Sequence, residues 1–293
     1  MRSWLAQSEL TLDTEPRELL HRLTDELGLP YPGEGLAALR MWGQTGDRPT
    51  TWIAAADPIY LEPRLDHLCL HALRGVGIPA SDLRPLFDHL QETLAGDRRF
   101  GFARLGSNGY LRPSEPISTA AVPSYVVDQR EPGEFLPTGE RTVTHRNILS
   151  EIEMALHEHE VNLRRIEEGR QPVNSLWLWG GGVAPEKVTR PQPPLFADDP
   201  LLAGFWESAT ALGELWPGSF AACAEASVHG FVAVTPESDQ RSRTLSAYLE
   251  ELRGLLRSGR VSRLILLFRD GLRADVRRSQ TLRFWRRDSE LLD

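Results

Sequence analysis

The chain has 293 residues, 41% of them hydrophobic and 25% charged, with 24 Gly and 21 Pro. These are the proportions of an ordinary folded protein, and they exclude collagen-like, low-complexity and wholly disordered chains. Lys and Arg total 33 against 41 Asp and Glu, a formal charge of −8, which argues against a protein that coats nucleic acid along its whole surface.

Residues 15–27, EPRELLHRLTDEL, put Leu19, Leu20, Leu23 and Leu27 on one face and predict an amphipathic helix stopped by Gly28 and Pro30. A short helical pattern follows at 34–42. TWIAAADPIYL (51–61) and HLCLHAL (67–73) read as two strands joined by a Pro-containing turn. A helix is expected over 81–95, with Ser81 or Asp82 as N-cap and Leu83, Leu86, Phe87, Leu90 and Leu94 inward. RFGFARLGSNGYLRP (99–113) reads as a hairpin turning at Asn108-Gly109. The Pro-, Gly- and polar-rich segment 114–141 is the best boundary or long loop. A long helix is expected from 145 to 168, then the apolar strand VNSLWLWGGG (173–182), helices at 200–214 and 239–258, and strands at 230–236 and 263–268. That strand–helix–strand order suits a right-handed crossover in a parallel sheet. TLRFWRR (281–287) is expected as an edge strand. The fold class expected is α/β, with a mostly parallel central sheet in the second half and a hairpin-rich α+β first half. The lobes would be 1–120 and 121–293, packed as one unit.

Lys187 is the only lysine, so a Schiff-base or phosphate-loop lysine could only be that residue. Cys69 and Cys223 lie in apolar settings and read as buried free thiols. The opening residues lack the apolar stretch of a secretory signal, and no run of apolar residues is long enough to span a membrane. A cytoplasmic location is expected.

Three features could carry chemistry. In EIEMALHEHEVNLRR (151–165), a continuous helix would place Glu153, His157 and Glu160 on one face, either as a metal or acid/base set or as a solvated face. The zinc-protease pattern fails there because Val161 stands where the second His is needed. Gly180, Gly181 and Gly182 end a strand, where bare amides can cradle an anion or simply allow a sharp turn. Trp177 and Trp179 flank them as a stacking platform or as core. Residues 253–287 hold eleven Arg opposed by Asp270 and Asp275, a local +9 that leaves −17 elsewhere. Such a region could recruit an anionic partner, or be a solvated sheet edge or an internal charge match.

HEVNLRRIEEGRQPVNSLWLWGGG (159–182), AAADPIYLEPRLDHLCL (54–70) and the terminal RFWRR resemble blocks of a bacterial family. Its members are labelled relatives of cofactor-independent phosphoglycerate mutase or pathogenicity-factor (Rpf) E-type regulatory proteins. The first block also resembles the archaeal-type mutase segment. On that mapping His159, Asn162, Arg165, Asn174 and Gly182 hold family positions, while Trp179 stands where the mutase has Arg and Glu160 where both groups have Pro. The resemblance implies a reduced alkaline-phosphatase-like fold. It also implies two divalent metals and a Ser nucleophile in the true mutases, held by an N-terminal Asp-Gly block and a C-terminal Asp and His set. This chain has neither; after residue 182 its only His is His229.

The reading that follows is a non-catalytic regulatory or ligand-sensing relative, with no metal, no cofactor and no catalytic residue. Its candidate ligand-binding residues are His159, Asn162, Arg165, Asn174, Trp177, Trp179, Gly180, Gly181 and Gly182. The amides of Asn162 and Asn174 are expected to tie helix to strand, and Arg165 to supply positive charge near the glycines. Partners would be a small anionic ligand or a protein, not a membrane, with nucleic acid disfavoured. The rivals are a phosphomutase or phosphatase with rearranged ligands, drawn from His145, His157, His159, Glu153 and Asp57, and an adaptor binding an anionic partner through the Arg-rich end.

Overall fold

The computed structural model describes residues 5, 8–73, 78–96, 99–138, 142–186, 191–227, 229–236 and 241–279. In chain order its elements are β1 (Glu9–Leu12), α1 (Leu19–Leu27), α2 (Leu36–Thr45), β2 (Ile53–Pro63), β3 (Leu68–Ala72), α3 (Ala80–Leu94), β4 (Phe100–Leu105), β5 (Asn108–Pro113), α4 (Thr142–Leu156) and α5 (Glu160–Glu167). Then come β6 (Ser175–Gly182), β7 (Leu195–Phe196), α6 (Pro200–Ser208), β8 (Gly213–Glu214), α7 (Phe220–Ala226), β9 (Val232–Ala233), α8 (Arg241–Ser258), β10 (Arg263–Leu267) and β11 (Leu272–Arg277). The protein is mixed α/β. Its contacts divide it into a larger unit (17–188 and 200–208) and a smaller one (1–16, 189–199 and 209–293). The expected division at residue 120 is a different one. Ala120 lies inside the larger unit, bonded to Leu178 and Gly180 at 2.9 Å each, so the Pro-rich stretch packs on the sheet at this point.

β2 organises the larger unit. It pairs antiparallel with β3, with β5 and with β6, and β4 joins β5 to complete five strands. Residues alternate between faces along a strand, so Ala56, Leu176 and Leu178 face one way. There they pack with Leu83, Leu86, Phe87 and Leu90 of α3 and Ile148, Ile152 and Leu156 of α4. Asp57 and Trp179 bond across the opposite face, where Arg40 of α2 reaches Asp57. β6 is buried along almost its whole length, as an apolar strand covered on both faces must be.

The mostly parallel sheet is corrected. Every strand pairing in the five-stranded sheet is antiparallel; among the described residues the parallel strand pairs join the two-residue strands β7, β8 and β9, and a single parallel bridge links Ala120 to Trp179. The crossover around α8 fails for a topological reason. β9 pairs with β7, whereas β10 pairs antiparallel with β11, which also carries β1. The helix therefore connects two sheets instead of returning to one. Its Leu249, Leu252, Leu255 and Leu256 pack with Leu264, Ala274 and Val276 in the smaller unit. The expected strand at 281–287 lies outside the described residues.

Local chemistry explains three other departures. The 99–113 hairpin turns at Gly106-Ser107, because Leu105 pairs with Asn108 and Gly106 takes φ +58°, the glycine-first turn that suits a hairpin. Gly109 is needed for space instead: a Cβ there would overlap the Phe87 ring and the Ala56 carbonyl. The expected helix 145–168 is two helices, because His159 adopts an extended backbone and caps α5 by accepting from Val161 N. Glu153, His157 and Glu160 thus share no continuous helical face. Finally, α3 begins at Pro79 without a side-chain cap. Asp82 lies in its first turn and is committed to arginines instead.

Candidate functional site

The 159–182 block is brought together, but its polar groups turn inward. Asn162 is buried. Its Nδ2 donates to Leu156 O and Val173 O, and its Oδ1 accepts from Val173 N, all at 2.8 Å. Asn174 accepts from Leu61 N at 2.7 Å and donates to Leu61 O at 2.9 Å. Both amides bond backbone groups as expected, but the helix-to-strand tie is made by Asn162, whereas Asn174 joins β2 to the start of β6. Arg165, 1% exposed, donates Nε to Gln171 O and Nη1 to Asp82, both at 2.8 Å. Arg164 and Arg170 meet the same carboxylate at 3.0 and 3.3 Å. Burial pushes the Asp82 pKa upward, but the bonds from Arg165 and Arg164 outweigh it and hold the carboxyl below its ordinary value. Arg165 is therefore placed on Asp82, and the charge expected of it beside the glycines is spent there. His159, besides capping α5, lies 5.0 Å from the His89 ring. Burial first, then His89, holds it below the usual imidazole value.

The tryptophans and glycines form a packed wall. Trp177 Nε1 donates to Val122 O at 2.8 Å and Trp179 Nε1 to Asp57 at 2.7 Å. The expectation of free glycine amides is corrected. Gly180 N donates to Ala120 O at 2.9 Å and Gly181 N to Thr119 Oγ1 at 3.0 Å. The glycines are there because α2 and Trp52 come too close for side chains. A Cβ on Gly180 would lie 3.0 Å from Leu36 Cβ, one on Gly181 would run into the Trp52 ring, and one on Gly182 would run into Gly35 N.

Under this wall lies a buried charge pair that the motif reading did not foresee as a unit. Arg40 Nη1 donates to Asp57 at 2.6 Å, Nη2 to Gly109 O at 2.8 Å and Nε to Tyr110 Oη at 3.2 Å. Ser124 Oγ gives Asp57 a third donor at 3.1 Å. The guanidinium also sits over the Tyr110 and Trp179 rings, 4.7 and 5.2 Å from their centroids. A buried ion pair persists only when its remaining polar atoms are satisfied, and this one meets that condition. The signal was legible as single charges inside two apolar runs, AALRM and AAADP.

A surface cleft of about 700 Å³ is lined by Thr51, Trp52, Phe100, Arg112 and Ser114 among others, and Trp52 separates it from Gly181. His145 is buried, its Nδ1 2.8 Å from Ser118 O and its Nε2 without a partner. Burial lowers its pKa.

A third constellation was missed. On the β2–β3 hairpin Glu62 faces Cys69 and Tyr60 faces His71. Ligand atoms of Glu62, Cys69 and His71 lie within 4.8 Å of one another. Glu62 Oε2 is 2.7 Å from His71 Nε2 and accepts from Arg64 at 2.7 and 3.0 Å. The pattern E-x₆-C-x-H becomes visible only once the register across the turn is known. The expectation of no metal-ligating set is corrected to this extent.

The two-metal centre of the mutases does not fit. It needs several ligands around a pair of ions roughly 3.5–4 Å apart. Among the described residues, the group of three or more possible ligands is Glu62, Cys69 and His71, enough for one ion and sharing no member with His145, His157, His159, Glu153 and Asp57. Asp57 is committed to Arg40, and Glu153 accepts from Ser175 at 3.0 Å. The Arg-rich end is partly matched internally. Arg263 makes two bonds to Asp275, at 3.0 and 2.6 Å, and Arg260 meets Glu225 at 3.2 Å. Arg283, Arg286 and Arg287 lie outside the described residues.

No family model matches the chain. A stretch of 68 residues is 38% identical to the 2,3-bisphosphoglycerate-independent phosphoglycerate mutase of Methanosarcina barkeri, covering 23% of this chain and 17% of that one. The probable enzyme of the same description from Geobacter sulfurreducens gives the same identity and coverage. The matched stretch thus spans less than a fifth of the curated relatives' length. Among solved structures, the cofactor-independent phosphoglycerate mutase of Thermoplasma acidophilum is similar over 94% of this chain and 80% of its own, at 20% identity and a TM-score of 0.40. Part of this chain is homologous to cofactor-independent phosphoglycerate mutases. No helix among the described residues is long and apolar enough to cross a membrane.

Proposed function

We propose that this chain is a non-catalytic regulatory or ligand-sensing relative of the cofactor-independent phosphoglycerate mutases, of the pathogenicity-factor type, working in the cytoplasm. The observation that carries the reading is the commitment of the 159–182 block. The side chains of Asn162, Arg165, Asn174, Trp177 and Trp179 and the amides of Gly180 and Gly181 all bond within the fold. Groups held this way supply a scaffold and leave nothing to meet a transferring phosphoryl group, which requires positioned cations and a nucleophile. The small anionic ligand then belongs in the cleft beside Trp52 and Phe100, with Arg112 as its cation and Thr51 and Ser114 as hydroxyl donors. A protein partner is the other occupant in keeping with this reading.

The test is turnover of purified full-length protein on 2- and 3-phosphoglycerate and on p-nitrophenyl phosphate, with Mg²⁺ or Mn²⁺ supplied. The expected result is no turnover above buffer. Turnover that disappears in Glu153→Gln or His157→Ala, both exposed positions, would establish an enzyme and overturn the reading.

A further inference from the structure

We propose that Glu62, Cys69 and His71 form a binding site for a single zinc-class cation. The three come from one hairpin. Because Glu62 pairs with Cys69 and Tyr60 with His71 across an antiparallel ladder, and side chains alternate, Glu62, Cys69 and His71 stand on the same face. Their ligand atoms lie within 4.8 Å. A tetrahedral ion with Zn–S near 2.3 Å and Zn–N and Zn–O near 2.0–2.2 Å separates its ligands by roughly 3.5 Å, so rotamer adjustment suffices and the backbone can stay in place. Thiolate, imidazole and carboxylate together suit zinc, whereas magnesium and calcium take oxygen ligands.

The burial is graded. Cys69 is buried at the base, and Glu62 and His71 are half-buried above it. Three protein ligands leave the fourth position to water or an incoming donor, the pattern of an open site. Arg64 occupies the region without metal: it donates twice to Glu62 and lies within reach of the Cys69 sulfur. Its side chain is half-exposed, on a turn closed by Arg64 N to His67 O at 2.8 Å, so it can swing into solvent. On binding, the S–Zn bond forms as Cys69 releases its thiol proton to buffer. His71 binds through neutral Nε2 and Glu62 through its carboxylate, and Arg64 leaves. A cluster serving only as a surface ion pair would have little energetic value and would have no use for the thiol.

Cobalt(II) titration of chelator-treated full-length protein tests this, followed by absorption and then by displacement with Zn²⁺. The expected result is one equivalent of Co²⁺ with a thiolate-to-cobalt charge-transfer band, lost in Cys69→Ser and kept in Cys223→Ser. Glu62→Gln and His71→Gln should each weaken binding by more than the roughly 10–100-fold that loss of a supporting outer partner costs. Arg64→Ala, an exposed change that leaves folding intact, should tighten binding, because it removes the competing guanidinium. Absence of a band, a band that survives Cys69→Ser, or an Arg64→Ala affinity equal to or weaker than that of the parent protein would overturn the proposal in favour of an ion-pair cluster only.

Discussion

Asn174 pairs with Leu61 as a strand residue would, its amide accepting from Leu61 N at 2.7 Å and donating to Leu61 O at 2.9 Å. The side chain extends the β2–β6 ladder one rung past Ile59 and Ser175. Removing it leaves two backbone groups of β2 without their partner. Asn174→Ala should therefore cost about 1–3 kcal/mol, read as a lower denaturant midpoint at unchanged slope. An unchanged midpoint would remove the structural role.

Arg165 and Asp82 are the corresponding pair between α5 and α3. Both are nearly inaccessible, so Asp82→Ala strands a buried guanidinium and should destabilise by about 3–5 kcal/mol. The pH dependence has a fixed sign. A carboxyl held below its unfolded value of about 3.9 adds stability that is complete above that pH and disappears as pH falls through the folded value. Acid denaturation of the parent protein should therefore steepen below about pH 4, and Asp82→Asn should lose that component. Identical acid profiles for the two proteins would contradict the assignment.

Helices α2 and α6 approach so closely that a Cβ on Gly204 would overlap the Leu39 carbonyl oxygen and lie 3.0 Å from Gly43 N. The obstacle is backbone, which cannot rotate away. Gly204→Ala should destabilise by about 1–3 kcal/mol or more through overpacking, while Gly96→Ala, open on all sides, should not. Thermal melts of the two variants compare them directly, and equal melting temperatures would show that the helices are not in backbone contact.

His145 is buried with a lowered pKa, caused first by burial. The charged form then favours the unfolded chain, so stability is whole above about pH 6.5 and declines as pH falls toward the folded value. His145→Asn keeps a donor toward Ser118 O and removes the titration. The decline below about pH 6.5 should shrink in this variant, with His159, also held low, supplying the remainder, in urea titrations at several pH values. An unchanged slope would exclude His145 as its source.

The parts of the fold legible in the sequence were those set by local periodicity. The face of α3, the β2–β3 and β4–β5 hairpins and the two-sided burial of β6 were legible from apolar spacing and turn residues, whereas α1 buries Leu20 and Thr24 and leaves Leu19, Leu23 and Leu27 only partly covered. Pairing partners were not legible. Nothing near 232 or 263 says that β9 and β10 enter different sheets, because that depends on short strands such as β1 and β11 whose residues make no strong local pattern. The helix break at His159 was hidden for another reason: a histidine capping α5 through its ring nitrogen looks like a helix residue until Asn162 is seen bonding to Leu156 O. In the 159–182 block, the backbone-bonding role of the two Asn amides was legible, whereas the partners of Arg165, Trp177, Trp179 and the glycine amides were not. Asn, Arg and Gly serve pockets and scaffolds equally well, and only their partners distinguish the two. Glu62, Cys69 and His71 were missed because register, not spacing, brings them together.

The central claim is that the glycine segment at the end of β6 is a packed scaffold and not an anion cradle. Phosphate titration of ¹⁵N-labelled protein, following the Gly180 and Gly181 amide resonances together with their hydrogen exchange, tests it most directly. Bonds from Gly180 N to Ala120 O and from Gly181 N to Thr119 Oγ1 predict slow exchange and no saturable shift with phosphate at either amide. Fast exchange, or a saturable phosphate-dependent shift at both, would mean that the amides are open to an anion and would contradict the account.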